Sequence, residues 1–413
     1  MNSTSVVKLT SLESYKSINK NLSEKKSILQ FLPKCLFDIS THKNFIHNNK
    51  KLKTSYLIDV VHNLILKYYF RKENKFNLSS LILKEKYGHM YNYYIDYLVK
   101  KEILILICKH RKGKNARIYA ISETVLRGEI IRFNNSDKVI IKKYKNKLND
   151  LAFDDSKSDS QLIDQEVKLK LIDDLFSVKV QFDRSIFFLD NLKDDDIDIY
   201  NRNKYSVECI NNEHIFYHFD SYGRMHTNFT ILKSFIRKNC LLIDDEETFE
   251  IDIKNSQPLF LSKLIDVSSS KWVNKDELDL FKYLTINGKY YQYIMDIFDI
   301  KDKLQVKELT YKVLFGRNNP NSKADKLFSS VFPTIHNFIK LYKRENGDYR
   351  ILAYDLQKAE SNLIFNKIIK SIMDIYPDIK MITVHDSIVI PKRFKENVNS
   401  IFYTKLYEEF SLI

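Results

Sequence analysis

Two aspartates far apart in the chain lie in strand-like stretches where a carboxylate is costly to bury. In TFEIDI (248–253) apolar and charged residues alternate, which predicts a strand with Asp252 on its polar face and a helix directly after it. In MITVHDSIVI (381–390) Asp386 interrupts an apolar run. A divalent cation offsets the lost hydration of such a carboxylate. Two carboxylates from separate strands are the minimum for a pair of Mg²⁺ ions about 4 Å apart in phosphoryl transfer. Taken alone, each aspartate is better explained as a capping or surface acid.

A third stretch, between the two acids, repeats cationic and aromatic residues at a spacing of four. Lys303, Lys307, Tyr311 and Phe315, followed by Gly316, fall along one side of a predicted helix. Two ammonium groups suit a triphosphate, and two rings suit a sugar and a base. The same spacing is also typical of an ordinary amphipathic helix with exposed lysines and buried rings.

The charge balance favours polyanionic partners such as nucleic acid. Lys and Arg number 67 against 53 Asp and Glu, a formal charge of +14 in 413 residues. A composition biased toward Asn, Lys and Ile is the simpler explanation of the same charge. At 44% hydrophobic residues the chain is able to bury a large core, and its length favours two or three domains.

The cysteines and the hydropathy pattern favour a cytoplasmic protein without a membrane partner. Neither a zinc site nor a disulfide framework is indicated by the wide spacing of Cys35, Cys108, Cys209 and Cys240. The first residues lack the apolar core of a signal peptide. No run approaches the roughly 18 apolar residues of a membrane span. We therefore expect reduced thiols.

Polar, acidic stretches at 148–161 and 190–204 predict the boundaries between regions. We expect an N-terminal helical region at 1–147, a helical linker at 148–213 and a catalytic region at 214–413. Gly and Pro are too few, at 7 and 6, to compose a long flexible linker.

Within the N-terminal region, residues 55–125 have the element order of a winged helix. Helical patterns cover 55–70, 77–88 and 89–102, and two strand-like runs at 103–108 and 116–122 follow, joined by a basic turn. In a winged helix 89–102 would be the recognition helix. The basic residues expected to meet phosphates are Lys109, Arg111, Lys112, Lys114 and Arg117. The alternative is a small α+β domain that touches no nucleic acid.

Residues 215–395 resemble the palm and fingers of family A nucleic-acid polymerases, the bacterial DNA polymerase I-type enzymes and the single-subunit phage-type RNA polymerases. The first matching block runs from Asp220 through Gly223 to Arg224 and is similar to the D-x-x-G-R-x-Y element of the RNA enzymes. The resemblance implies that Arg224 lies against the nucleic-acid backbone near the growing end and that Asp220 orients it. His226 stands where the RNA enzymes carry tyrosine.

The two aspartates match the metal-binding motifs of the same family. Asp252 corresponds to the motif A aspartate, with the backbone carbonyl of Ile253 as a further metal ligand, and Asp386 to that of motif C. His385 would steady the primer terminus. Gln257 stands at the position where the DNA enzymes place a glutamate beside the sugar 2′ carbon and the RNA enzymes a glycine.

The lysine-bearing helix is similar to motif B, with its R-x-x-x-K-x-x-x-[FM]-x-x-x-Y-G register. Lys303 replaces the arginine, which keeps the charge and loses the bidentate fork. Lys307 corresponds to the triphosphate-binding lysine and possible proton donor to pyrophosphate. Tyr311 and Phe315 would pack the incoming nucleotide against the templating base, and Gly316 matches the glycine.

The resemblance implies an α+β right-hand polymerase: a palm with an antiparallel sheet, small helical fingers and a helical thumb, preceded by the winged-helix-like domain. Region 214–413 would form palm and fingers, and 148–213 would be thumb-like. Gln357, in a helix similar to the Q-G-x-x-A-D element, would touch the template or primer minor groove. The implied activity is template-directed addition of nucleoside triphosphates to a primer 3′-hydroxyl, with two Mg²⁺ ions for which Mn²⁺ can substitute.

Residues at the sugar position leave two polymerase activities open. Phe315 lacks the hydroxyl that helps the RNA enzymes to select a ribose, and Gln257 is bulkier than glycine, so both favour DNA synthesis. Ser256, Ser387 and the D-x-x-G-R block are shared with the RNA enzymes. We expect DNA synthesis, and a single-subunit RNA polymerase or primase is the main alternative.

Two other functions remain open from the sequence. One is a non-catalytic winged-helix replication initiator with a degenerate palm, against which the intact Asp252, Lys307 and Asp386 argue. The other is extension of ends without a template. A compact polymerase with a winged helix in front fits replication, priming or defence in a mobile element.

Overall fold

A computed structural model of the chain describes residues 26–71, 74–109, 117–153, 162–193, 195–268 and 272–410. The fold is mixed α+β, in agreement with the predicted class. Buried side chains form two main cores, one within residues 29–130 and a larger one within 163–406. Cys209 belongs to the smaller core although its neighbours Val207 and Ile210 belong to the larger one, so one helix joins the two.

The N-terminal part combines short antiparallel sheets with helices. Its strands are β1 (Ile28–Pro33), β2 (Asn44–His47), β3 (Lys50–Lys53), β4 (Phe76–Asn77), β5 (Leu104–Cys108), β6 (Ile118–Ile121) and β7 (Ile130–Asn135). Its helices are α1 (Phe37–Ser40), α2 (Thr54–Arg71), α3 (Ser80–Tyr87), α4 (Tyr91–Lys100), α5 (Glu123–Leu126) and α6 (Lys138–Phe153). Strand β1 pairs with β7, β2 with β3, and the third sheet has the order β4-β6-β5.

The elements predicted for a winged helix are present in the predicted order. Helices α2, α3 and α4 correspond to 55–70, 77–88 and 89–102, and β5 and β6 to the two strand-like runs. The short strand β4, between α2 and α3, was not predicted; it pairs with β6. Among the basic residues of the connecting turn, Lys109 and Arg117 are exposed. Arg111, Lys112 and Lys114 lie outside the described residues.

The C-terminal part is mainly helical around one central sheet. Its strands are β8 (Val178–Val180), β9 (Tyr217–Phe219), β10 (Met225–Thr227), β11 (Leu241–Ile243), β12 (Glu246–Asp252), β13 (Ile382–Val384) and β14 (Ser387–Pro391). The first helices are α7 (Gln165–Asp174), α8 (Phe182–Lys193), α9 (Ile197–Asn211), α10 (Asn228–Ile231), α11 (Ser234–Cys240), α12 (Ser256–Val267), α13 (Lys275–Ile286) and α14 (Tyr290–Phe298). The later helices are α15 (Lys303–Phe315), α16 (Lys323–Val331), α17 (Pro333–Glu345), α18 (Ile351–Ser361), a π-helical segment (Asn362–Ile369), α19 (Lys370–Ile375) and α20 (Lys395–Glu409).

The central sheet is antiparallel, with the strand order β13-β14-β12-β11-β8. Every residue of β13 and β14 is buried, so this part of the sheet lies inside the larger core. A separate hairpin of β9 and β10 lies near the start of this region. The order brings β12 beside β14, although more than a hundred residues separate them in the chain.

The stretch 381–390 is a hairpin and not the single strand that its apolar pattern predicted. Strands β13 and β14 pair around a two-residue turn, His385 and Asp386. Both strands are buried and therefore apolar, so the hydrophobic pattern on the two sides of the turn gives no sign that one strand ends and another begins. Asp386 is therefore a turn residue at one end of the sheet.

Candidate functional site

The fold brings Asp252 and Asp386 to the same end of the central sheet. Asp252 is the last residue of β12 and pairs with Ser387, the residue that follows Asp386. The next residue, Ile253, donates its backbone N–H to the Asp386 carbonyl oxygen at 3.3 Å. The two predicted carboxylates thus lie on neighbouring segments of one sheet, directly before the helix α12.

The turn that carries Asp386 has a constrained backbone. His385 has φ of 56°, in the left-handed region that non-glycine residues rarely occupy. Ser387 Oγ donates to the Val384 carbonyl oxygen and also lies 2.8 Å from Glu250 Oε1. Glu250 in turn pairs with Arg237 at 3.3 Å. A strained turn held by side-chain hydrogen bonds is a frequent feature of functional sites.

The electrostatics of the turn favour a bound cation beside Asp386. Burial, and then the negative charges of Glu360 and Asp252, raise the pKa of Asp386 to about 7. Desolvation, and then nearby cations that include Arg224 and Lys307, lower the pKa of His385 to about 4. At neutral pH the His385 imidazole is therefore neutral, and the Asp386 carboxyl is near the midpoint of its titration, so a cation that takes the place of its proton would offset the repulsion from Glu360 and Asp252.

The donor set fits a magnesium ion. In the described ranges neither Asp252 nor Asp386 forms an ion pair through its side chain, and Asp252 is exposed. Magnesium binds carboxylate oxygens and commonly uses only one or two of them, with water and substrate phosphates as the remaining ligands. No group of three or more His, Cys, Asp or Glu with metal-binding geometry occurs in the part of the chain that the structure describes. Ile253, the third predicted ligand, is buried.

Helix α15 presents the predicted stripe of cations and rings. Lys303 and Lys307 are exposed, and Tyr311 and Phe315 are partly buried. The Lys307 ammonium lies 5.5 Å from the centroid of the Tyr311 ring, which lies 5.1 Å from that of Phe315. Burial, and then the charge of Asp386, raise the pKa of Tyr311. The stripe therefore lies within electrostatic range of the acid pair.

The C-terminal end of α15 is fixed by two features of the sequence. A Cβ atom on Gly316 would lie 2.4 Å from the Lys312 carbonyl oxygen, so only glycine fits there. The ammonium of Lys343 donates to the carbonyl oxygens of Val313 and Gly316 at 2.6 and 2.8 Å. A buried cation on the last carbonyls is a favourable helix cap.

Glu360 is the centre of a buried hydrogen-bond network behind the acid pair. One of its carboxylate oxygens accepts two hydrogen bonds from the Arg224 guanidinium, at 2.5 and 3.1 Å. The other accepts from Ser256 Oγ at 2.5 Å and from Gln257 Nε2 at 2.6 Å. Glu360 thus joins the hairpin of β9 and β10 to the first turn of α12.

Two of the predicted roles differ in detail from this geometry. Asp220 was expected to orient the Arg224 side chain, but it accepts the Arg224 backbone N–H at 3.0 Å and contacts His226 Nε2 at 2.8 Å. The Arg224 guanidinium is held by Glu360 instead. Gln257 was expected beside the nucleotide sugar; its side chain is 3% exposed and donates to Glu360.

Sequence reasoning gave Glu360 no role, although one signal was available. Leu352 and Leu356 precede it at a spacing of four, and Ile364 follows at the same spacing. Glu360 therefore occupies a position in the apolar stripe of its helix, where an acid requires a buried partner. Gln357 lies one turn earlier on the same helix and is partly buried.

The N-terminal residues form a separate surface. Arg117 lines a pocket of about 680 Å³ together with residues of α4, among them Tyr91, Asn92 and Asp96. The pocket lies between the predicted recognition helix and the predicted wing, and its wall combines aromatic, amide and charged groups.

No protein-family model matches this chain, and no curated protein is significantly similar to it. Among the described residues no helix has both the length and the apolar character needed to cross a membrane.

Proposed function

We propose that this chain is a template-directed nucleic-acid polymerase that adds nucleotides to a 3′-hydroxyl, with DNA as the favoured product. The juxtaposition of Asp252 and Asp386 at one end of an antiparallel sheet carries the proposal. The cationic and aromatic stripe of α15, within electrostatic range of this pair, supports it. The order of the four family A-like blocks in the sequence agrees with this assignment.

In the proposed reaction Asp252 and Asp386 hold magnesium. Bound there, the metal would lower the pKa of the attacking hydroxyl and stabilise the negative charge of the transferred phosphoryl group. Lys307 and Lys303 bind the triphosphate, since both ammonium groups are exposed on the stripe. Tyr311 and Phe315 pack against the sugar and base of the incoming nucleotide. Arg224, held by Glu360, contacts the backbone at the primer end.

The N-terminal domain is proposed to bind the nucleic acid on which the catalytic part acts. Its element order from α2 to β6 and the exposed Lys109 and Arg117 at the connecting turn support a winged-helix role. The pocket beside α4 offers the side chains with which base edges are recognised.

Primer extension tests the proposal. Wild-type protein is incubated with Mg²⁺ and labelled primer–template, in DNA and RNA combinations, with dNTPs or NTPs. We expect template-dependent extension, more efficient with dNTPs. The variants D252N and D386N should extend primers at least about a thousandfold more slowly than the wild type. Each removes one of the proposed metal-binding charges and keeps the shape of the side chain.

The matched control is D279N, which removes an exposed aspartate of α13 and should extend primers as well as the wild type. Equal extension by wild type and D386N would overturn the assignment of the site. Binding of duplex DNA without incorporation of any nucleotide would favour a replication initiator instead. A preference for NTPs would support the RNA polymerase or primase alternative.

A further inference from the structure

A row of three tyrosine and two arginine side chains in successive contact lies beside the candidate site. Its members, named here the tyrosine–arginine row, are Tyr222, Tyr354, Arg350, Tyr349 and Arg317. The rings of Tyr222 and Tyr354 stack with centroids 4.4 Å apart and planes 14° from parallel. The Arg350 guanidinium lies 5.8 Å from the Tyr354 centroid and 5.9 Å from that of Tyr349, and Arg317 lies 5.1 Å from Tyr349.

The row joins two parts of the site that the chain separates. Tyr222 lies in the turn between β9 and β10, two residues before Arg224. Arg317, at the other end, directly follows Gly316 at the C-terminus of α15. Because the chain runs from Lys303 to Phe315 along α15, Arg317 lies beyond the two rings of the stripe. The row thus extends from the proposed primer-end contact to the aromatic end of α15.

The chemistry of the row suits a phosphodiester backbone. Cation–π contacts use the face of a guanidinium and leave its N–H edge available to oxygen ligands. Arg317 and Arg350 are both exposed, and no hydrogen bond or ion pair to the Arg317 guanidinium occurs within the described ranges. Asp348 accepts from Nε and Nη2 of Arg350, which fixes the plane of that guanidinium. Arg317 therefore has its bidentate edge available to a phosphate, whereas Asp348 occupies the Nε–Nη2 edge of Arg350 and leaves Nη1 for a phosphate oxygen.

We propose that the tyrosine–arginine row binds the single-stranded template ahead of the templating base. The inference rests on the proposed function: if Lys303 and Lys307 hold the triphosphate and Tyr311 and Phe315 face the base, the templating nucleotide lies next to the C-terminal end of α15. Arg317 and Arg350 contact successive phosphates of the strand. The tyrosine rings hold the two guanidinium groups, and their exposed parts offer an aromatic surface to bases.

The competing explanation is a purely structural role, in which the row only fixes the N-terminus of α18 to its surroundings. Such a role predicts lower stability on substitution and unchanged binding of nucleic acid. The proposal predicts the reverse for the two exposed arginines, because an exposed cation–π contact contributes only about 0.5–1 kcal/mol to stability.

The experiment measures binding of the full chain to two primer–templates of the same duplex length. One carries a single-stranded 5′ template overhang of several nucleotides, and the other is blunt. The double variant R317Q/R350Q should bind the overhang substrate about tenfold more weakly, with a salt-dependence slope smaller by about 2. Its affinity for the blunt duplex should equal that of the wild type.

The control variant is R393Q. Arg393 is also exposed, also lies over a ring, that of Phe394 at 4.9 Å, and also pairs with a carboxylate, that of Glu246. It follows β14, at the opposite end of that strand from Asp386. We expect R393Q to bind both substrates as the wild type does.

The outcomes separate this inference from the proposed function. The template assignment is wrong if R317Q/R350Q binds both substrates more weakly to the same extent, or binds both as the wild type does. This holds even if the wild type extends primers. If R317Q/R350Q loses affinity for the overhang substrate alone, the tyrosine–arginine row is supported as a surface that binds single strands. If the wild type then extends no primer, only the proposed polymerase activity is wrong. Lower unfolding free energy with unchanged affinities would show the structural role.

Discussion

The guanidinium of Arg224 donates two hydrogen bonds to one carboxylate oxygen of Glu360, although 136 residues separate the two in the chain. The Glu360 side chain is 2% exposed and that of Arg224 is 20% exposed. Since the second oxygen of Glu360 accepts from Ser256 and Gln257, one buried acid positions three segments around the end of the sheet that carries Asp252 and Asp386. This acid also adds to the negative charge that raises the pKa of Asp386.

The substitution E360Q tests how much this hydrogen-bond network contributes to the stability of the fold. Glutamine keeps the size of the side chain, but it leaves the Arg224 charge without a counter-ion in a largely buried position. We expect the free energy of unfolding to fall by about 2–4 kcal/mol, measured by urea denaturation. The control E396Q removes an exposed glutamate whose side chain is 83% accessible, and it should change stability by less than about 0.5 kcal/mol. An E360Q variant as stable as the control would show that the network contributes little.

Two glycines with similar backbone conformations test the close packing beside Glu360, because only one of them lies against a neighbouring side chain. Gly223 and Gly347 have φ of 82° and 70°, so alanine is strained at both positions. A Cβ on Gly223 would lie 3.2 Å from the Ser361 Cβ, whereas one on Gly347 meets no atom within 4 Å. We expect G347A to cost about 1 kcal/mol and G223A about 2–3 kcal/mol in urea denaturation. Equal costs would mean that the Ser361 contact relaxes freely.

The local elements of the site could be predicted from the sequence, and the partners of its buried acid Glu360 could not. Spacing alone predicted the stripe from Lys303 to Phe315, since it depends only on the helical period. The turn at Asp386 was hidden, because both hairpin strands are buried and the turn contains no glycine or asparagine. The partners of Glu360 come from segments distant in the chain, and no local pattern specifies which segments meet.

The raised pKa of Asp386 makes the stability of the metal-free protein depend on pH. The pKa is about 7 in the folded state against the ordinary value of 3.8, so the folded protein binds the proton more tightly than the unfolded chain does. The resulting stabilisation is fully present below about pH 4 and is lost as the pH rises through about 7. In the presence of a chelator, the unfolding free energy of the wild type minus that of D386N should fall by about 1–3 kcal/mol between these limits.

The measurement is urea denaturation of wild type, D386N and D279N across that pH range. The control D279N should follow the wild type, because Asp279 is exposed on α13 and distant in sequence from the acid pair. A constant difference between wild type and D386N at all pH values would contradict the partial burial of Asp386 and its proximity to Glu360 and Asp252.

Addition of magnesium should reverse part of this loss, because a cation between the two carboxylates takes the place of the proton. A ligand that binds only the folded state raises the melting temperature in proportion to the logarithm of its concentration once it exceeds the dissociation constant. We expect millimolar Mg²⁺ to raise the melting temperature of the wild type by about 2–4 °C at about pH 8, and by less at about pH 6, where Asp386 is largely protonated. The variants D252N and D386N should show no such increase, while D279N should match the wild type. Removal of the ion by a chelator should return the wild type to its original melting temperature. An equal increase of the melting temperature in all four proteins would mean that magnesium binds elsewhere on the chain.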